Sequence, residues 1–314
     1  MIYEIVAFLI FFLYYIYSTS IAKNNKFPKR FFYFYYSIRY KIVTSIKYLN
    51  VYIIVYIEFG VFYMKIISLN VNGIRKSFEK GLLDFINKEN PDIICFQEIK
   101  SKKELPDEIA KIPNYNSYSF LNELKSFSGV TTYTKIKALN IENGFGDERF
   151  DNEGRIQTLN FKDFKLVNTY CPSAKGTKEG LSNKLEYFEK LKDFIFSMQE
   201  KGEKLIVCGD FNIAHNEIDT SNTNKYMYGF RPEEREILSK ILSNGFVDAF
   251  RKFNPSLEQY SWIQYKYRKS KENKGLRLDY FFVSDNLENN IEKSYILEEE
   301  LSDHNPIVLE LELD

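Results

Sequence analysis

Histidine and cysteine are scarce in this chain of 314 residues, which has two of the first and three of the second. Cys95, Cys171 and Cys208 lie far apart and are odd in number. No zinc-type spacing exists among them, and a disulfide framework is excluded. Two of the three sit inside apolar runs, DIICF and KLIVCG, as buried free thiols of a reducing compartment do. Net charge is also lacking, with 43 basic and 43 acidic residues. Seven basic and two acidic residues fall in the first 63, so the rest carries 36 basic against 41 acidic. A mildly acidic body excludes blanket adhesion to polyanions, and any contact with nucleic acid needs a local basic face. No serine or cysteine occupies a nucleophile elbow, which removes the acyl-enzyme hydrolases.

Aromatic residues are abundant, at 17%, and they crowd into residues 1–63. Within that segment IVAFLIFFLYYIYSTSIA (5–22) carries no charge and meets the length of a membrane helix. A second apolar run, 48–63, is interrupted by Glu58, and the basic stretch KNNKFPKR between the runs favours a cytoplasmic side. Two readings follow: a membrane anchor, or an upstream extension ahead of a working protein that begins at Met64. The second is the expectation, giving residues 1–63 as a hydrophobic extension and 64–314 as the catalytic body.

From Met64 apolar strands alternate with helices and polar loops. MKIISLNVN (64–72), DIICFQE (92–98), VTTYT, RIQTLNF, KLVNTY, KLIVCGDFN (204–212), LRLDYFFVS and NPIVLELEL read as strands. SFEKGLLDFINKEN (77–90) reads as a helix capped by Ser77 and ended by Pro91. In 184–201, Leu185, Phe188, Leu191, Ile195 and Met198 recur at helical spacing. PEEREILSKIL (232–242) opens on proline, as helices do. Strands outnumber helices and no internal repeat occurs. The expected fold class is α+β, two packed, mostly antiparallel β-sheets flanked by helices in a four-layer sandwich.

Several buried strands end in polar groups: Asn70-Val71-Asn72, Gln97-Glu98 and Asp210-Phe211-Asn212, while Asp303-His304 precedes the last strand. Each alone suits a turn. Together they point to one cleft at a shared rim, and hard oxygen ligands of this kind suit Mg²⁺, with Mn²⁺ as a substitute. His304 by itself could be a metal ligand, a catalytic base or a strand cap.

LNVNGIR (69–75), PDIICFQEIK (91–100), SGV (128–130), GRIQT (154–158), TYCPSA (169–174), GDFNIAHNEID (209–219), GFRPEERE (229–236), GLRLDYFFVS (275–284) and SDHNP (302–306) resemble, in order, the exonuclease III family of apurinic/apyrimidinic endonucleases. The resemblance implies that Glu98 is the principal metal ligand with Asn70 and Asp303 beside it, and that Asp210, Asn212 and His304 complete the metal-facing set. Asn72 stands where some relatives have Asp, so its contact is indirect. Asp210 would orient or deprotonate the attacking water, and Asn212 would hold Asp210 and the transition-state oxygens. Tyr170 would contact the scissile phosphate. His304 would bind a non-bridging oxygen, steadied by Asp279 on its far ring nitrogen. Ser173 replaces the asparagine usual after TYCP, which implies a weaker phosphate contact. Arg75, Lys100 and Lys175 would hold DNA phosphates, and Trp262, Leu276 and Leu278 would line the pocket for the abasic sugar.

The physical logic is independent of kinship. Phosphodiester hydrolysis needs an in-line nucleophile, charge on the phosphoryl oxygens and help for the leaving oxygen. Residues 261–279 interleave six basic residues with Trp262, Tyr265 and Tyr267, a composition that holds phosphates and receives an extruded sugar or base. The implied activity is Mg²⁺-dependent cleavage 5′ to abasic sites in duplex DNA, with 3′-to-5′ exonuclease and 3′-phosphatase activity. The implied partner is double-stranded DNA with abasic or 3′-blocked ends, acted on by a monomer. The expected location is cytoplasmic, nucleoid-associated in a bacterium, with membrane association only through residues 5–22. The competing readings are a lipid phosphodiesterase of the same superfamily and a non-catalytic DNA-binding relative. Tyr170, at the position where the secreted nucleases and sphingomyelinases of that superfamily carry a second histidine, disfavours the first. The intact carboxylate set disfavours the second.

Overall fold

The computed structural model describes residues 42–48, 51–57, 62–101, 104–122, 127–270 and 272–313. The apolar run 5–22 lies outside these. Among the described residues no helix is long and apolar enough to cross a membrane. The chain divides into two compact units, Met1–Phe62 with Asp314, and Tyr63–Leu313. In the first, β1 (Ile42–Tyr48) and β2 (Val51–Ile57) pair antiparallel with Ile42 opposite Ile57. The second apolar run of the sequence therefore contains a strand.

The second unit holds two six-stranded sheets. One runs β13 (Ile291–Ile296), β14 (Ile307–Leu313), β3 (Phe62–Asn70), β4 (Ile93–Gln97), β6 (Val130–Thr134), β5 (Asn116–Phe120). The other runs β11 (Phe246–Asp248), β12 (Asp279–Ser284), β10 (Leu205–Asp210), β9 (Lys165–Tyr170), β8 (Ile156–Asn160), β7 (Asn140–Asn143). Antiparallel pairing dominates, as expected, but both sheets are mixed: β3 pairs parallel with β4, and β9 with β10. A parallel pair needs a crossover. Helices α1 (Ile74–Glu79) and α2 (Leu82–Glu89) supply the first, and, after the short α3 (Asp107–Ala110) and α4 (Glu148–Asp151), α5 (Lys178–Gln199) supplies the second. Helices α6 (Pro232–Ser243), α7 (Ala249–Phe253) and α8 (Tyr265–Ser270) follow.

The layers follow from side-chain alternation along the strands. Ile66, Ile93 and Cys95 of one sheet meet Ile206, Cys208 and Phe281 of the other in a central core. Val207 and Phe282 turn outward to Phe188, Leu191 and Ile237 of α5 and α6. Ile67 and Phe96 turn outward to Phe85 and Ile109. The order helix, sheet, sheet, helix is the four-layer sandwich.

Four local expectations change. The helix expected over 77–90 is two helices, because Gly81 adopts φ 94° between them, a conformation that glycine reaches without a Cβ clash. Ser77 is no cap; it lies inside α1, and its hydroxyl donates to the carbonyls of Val71 (2.8 Å) and Leu301 (3.0 Å). The helix expected from 184 starts at Lys178, where the Thr177 side chain accepts the Gly180 amide at 3.0 Å. Leu276 makes only isolated bridges, to Thr220 and Trp262, and β12 begins at Asp279.

Candidate active site

The alternation that builds the central core also builds the site. Ile66, Leu166, Ile206 and Phe281 face the opposite sheet. Residues an even number of positions along each strand share that face, so Asn70, Tyr170, Asp210 and Asp279 emerge on it at one rim. Register completes the row: Asp210 is paired with Tyr170 on one side and with Asp279 on the other. Gly209 makes this pairing possible, because a Cβ there would stand 1.8 Å from the Thr169 carbonyl oxygen.

Asp210 is fully enclosed. Its Oδ2 accepts from Asn70 Nδ2 across the sheets at 2.8 Å and from Asn212 Nδ2 at 3.2 Å, and its Oδ1 accepts the Asn212 amide at 2.8 Å. Burial pushes its carboxyl up to about 7, with the His304 charge pulling down and the Asp279 charge adding to the rise. His304 Nδ1 bonds to Asp279 Oδ2 at 2.8 Å, and its Nε2 faces Asp210 Oδ2 at 3.9 Å. Burial alone would favour the neutral ring; the Asp279 and Asp210 carboxylates overcome it and push His304 up to about 10. Ser261, a residue the sequence reading missed, fixes the dyad: its hydroxyl donates to Asp279 Oδ2 at 2.6 Å while accepting the amides of Leu278 and Asp279.

The other sheet supplies the facing wall. Glu98 follows β4 at φ 52°. Its Oε1 accepts from the Tyr170 hydroxyl, and its Oε2 lies 3.5 Å from Lys100 Nζ. Burial and the neighbouring Glu98 and Asp210 carboxylates hold the Tyr170 hydroxyl well above its ordinary range. Lys100 also donates to Asn72 Oδ1, and Asn72 Nδ2 donates to Asp303 Oδ1 at 2.8 Å. Asp303 Oδ2 accepts from Trp262 Nε1 at 3.1 Å. Although burial opposes ionisation, the His304 charge and these two hydrogen bonds hold Asp303 below the usual carboxylate range. Among the described residues, five of the seven non-glycine residues with positive φ, namely Asn72, Glu98, Lys100, Lys175 and Asn212, line this one cavity. Strained backbone of this kind collects where geometry is dictated by function.

The cavity has a volume of about 450 Å³ and is lined by every expected site residue except Arg75 and Asp279. Asp279 is packed behind His304. Arg75 is exposed and lines a separate depression with Phe78 and Pro106. One side of the cavity is apolar: Leu278 is buried with Ala214 and Phe230, and Met227, Trp262 and Leu276 pack against them. Met227, Tyr228 and Lys184 are lining residues that sequence reasoning missed, because nothing in their local sequence marks a wall built from a distant loop.

The donor set fits a divalent cation. Donor atoms of Asp210, Asp279 and His304 lie within 4.8 Å of one another, with His304 Nδ1 taken up by Asp279 and its Nε2 facing Asp210. The carboxylate of Glu98, the carboxylate of Asp303 and the amide of Asn70 are the hard oxygens on the other side. The Lys100 ammonium, set between Glu98 and Asn72, already supplies positive charge at that place.

Residues 67–304 match the endonuclease/exonuclease/phosphatase family. An exodeoxyribonuclease of Bacillus subtilis is 37% identical over 251 residues, covering 78% of this chain and 98% of its own. A DNA-(apurinic or apyrimidinic site) endonuclease of Dictyostelium discoideum is 40% identical over 265 residues, covering 80% of this chain and 71% of its own. Among solved structures, an AP endonuclease from Archaeoglobus fulgidus superposes with a TM-score of 0.72 at 25% identity, over 80% of this chain and all of that one. A sandwich whose two sheets meet at a carboxylate-lined rim, with these relatives, makes the chain a member of the endonuclease/exonuclease/phosphatase family, whose enzymes hydrolyse phosphodiesters.

Proposed function

We propose that this enzyme cleaves the phosphodiester on the 5′ side of abasic sites in duplex DNA, with Mg²⁺, and also removes nucleotides or phosphate from 3′ ends. The observation that carries the reading is the placement of Asp210, braced by Asn70 and Asn212, beside a protonated His304 and next to an apolar pocket. The names of the Bacillus and Dictyostelium relatives support the exonuclease and AP-endonuclease parts.

Glu98, with Asn70 and Asp303, would hold the cation, which supplies charge to the phosphoryl oxygens and eases departure of the 3′-oxygen. Asp210 takes the proton of the attacking water, and its raised affinity suits a base working near neutral pH. Asn212 Nδ2, which donates to Cys171 O at 3.0 Å and to Asp210 Oδ2 at 3.2 Å, holds the Asp210 carboxylate beside the phosphate. His304 donates from Nε2 to a non-bridging oxygen, while Asp279 keeps its proton in place. Tyr170, Ser173, Lys100 and Lys175 line the phosphate side, and Trp262, Leu276 and Leu278 exclude water around the sugar. Catalysis is assigned to the residues from Met64 on; a chain beginning there should keep full turnover.

The test is a duplex with one tetrahydrofuran abasic analogue, incubated with Mg²⁺ or with EDTA. The expected result is a single Mg²⁺-dependent nick with a 3′-hydroxyl end. Cleavage that persists in EDTA, or none with Mg²⁺, overturns the reading.

A further inference from the structure

A second charged pair lies beneath the cavity and has no part in the chemistry above. Lys184 of α5 is 1% exposed and Glu234 of α6 is fully buried. Lys184 Nζ donates to Glu234 Oε1 at 2.5 Å and to the backbone carbonyl of Asn212 at 2.7 Å. Glu234 Oε2 accepts the amides of Gly229 (2.7 Å) and Arg231 (3.1 Å). The Gly229 carbonyl in turn accepts the Ala214 amide at 2.7 Å.

Stability does not explain this pair. Desolvating two charges offsets much of their attraction, and apolar replacements of similar volume are often as stable. Burial here is strong enough to lower the Lys184 proton affinity despite the Glu234 partner. What the pair achieves is geometric. Asn212 sits at φ 54°, off the end of β10, and its carbonyl, two residues after Asp210, accepts from Lys184. The Lys184 ammonium fixes it. The same pair, through Glu234, pins the loop at Gly229 and Arg231, which carries Met227 and Tyr228 into the cavity wall.

We propose that Lys184 is a positioning residue: it holds the Asn212 peptide so that the Asn212 side chain stays aimed at Asp210 and the phosphate, while Glu234 ties the pocket loop to the same point. This rests on the function proposed above. An apolar partner could fill the space but could not orient a carbonyl, which accounts for a hydrogen-bond donor at this position.

The experiment is steady-state cleavage of the abasic duplex by the full chain, with thermal unfolding in parallel. Lys184→Met combined with Glu234→Gln removes both charges while leaving an amide oxygen for the Gly229 and Arg231 amides. Its kcat should fall roughly 10- to 100-fold, the effect of a small displacement of a reacting group, with KM changed less than about threefold and the unfolding temperature close to wild type. Lys184→Arg keeps a cationic donor for the Asn212 carbonyl and Glu234 Oε1 and should keep kcat within about threefold, so it serves as the second test if the double variant does not fold. In an Asn212→Ala background the double substitution should cost less than about twofold, because Lys184 acts through Asn212. Unchanged kcat in the double variant, a large loss in Lys184→Arg at an unchanged unfolding temperature, or an equal loss with and without the Asn212 side chain overturns the proposal. A wild-type chain inactive on the duplex would instead sink the functional reading itself.

Discussion

Asp279→Asn is the sharpest perturbation of the site, because it changes a charge and almost no volume. Asp279 Oδ2 accepts from Ser261 at 2.6 Å and meets His304 Nδ1 at 2.8 Å. Its negative charge is the largest influence keeping the buried imidazole protonated, with a pKa of about 10. Without it, burial is opposed by the Asp210 and Asp303 charges alone, and the ring returns towards its ordinary value near 6.5. The protonated ring is the active form, so activity is lost as pH rises through this pKa: near 10 in the wild type, near 6.5 in the variant. At pH 8 about 3% of variant rings would carry a proton, a loss of roughly 30-fold against a fully protonated wild type. The loss should shrink to a few-fold at pH 6. Burial, the main cause of the raised Asp210 pKa, is the same in both proteins, so protonation of Asp210 below about pH 7 slows wild type and variant together and the ratio of their rates is what reports His304. Single-turnover rates on the abasic duplex from pH 5.5 to 9, with ¹⁵N chemical shifts of the His304 ring, measure both sides. A variant profile parallel to the wild type, or a loss below about threefold at pH 8, would falsify the role given to the dyad.

Glu98→Gln should raise the Mg²⁺ concentration for half-maximal turnover at least about tenfold, the scale on which even outer partners of metal ligands act; an unchanged metal titration argues against Glu98 as the principal ligand. Trp262→Ala removes both the apolar wall and the donor to Asp303 Oδ2, and KM for the abasic duplex should rise about tenfold, roughly 1.4 kcal/mol; equal KM values would show that the substrate does not use this wall. Arg277, fully buried, binds Asp219 and Asp248, so Arg277→Met should cost about 3–5 kcal/mol by leaving buried carboxylates underpaired; urea unfolding reads this, and a change below about 1 kcal/mol contradicts it.

The carboxylate and amide endings of β3, β4 and β10 were legible in the sequence because apolar alternation announces a strand and polar termini stand out against it. Their convergence was legible only as a pattern. That Asp210 lies in one row with Tyr170 and Asp279 depends on a parallel and an antiparallel register, and neither leaves a local mark. Ser77 misled because a serine before an apolar run has the same appearance as a cap whether it donates to a neighbour's carbonyl or accepts an amide; a bond to Leu301 lies 224 residues away. Ser261 and Lys184 were invisible for the same reason, since their partners are tertiary. Arg75, adjacent in sequence to a strand end, points to another face because α1 begins at Ile74 and turns it away.

The order of the strands sets when the enzyme can act. Asn70 ends the first strand of the larger unit and His304 precedes its last, β14, which lies beside β3. Asp210 comes from the middle of the chain and from the other sheet. A nascent polypeptide emerging amino end first therefore contains most of the sandwich before it contains Asp303 or His304. No partly made or half-docked intermediate assembles the full constellation. Long-range closure of this kind slows folding, and in a nuclease it acts as a safeguard: the power to cut phosphodiesters arrives together with the finished fold.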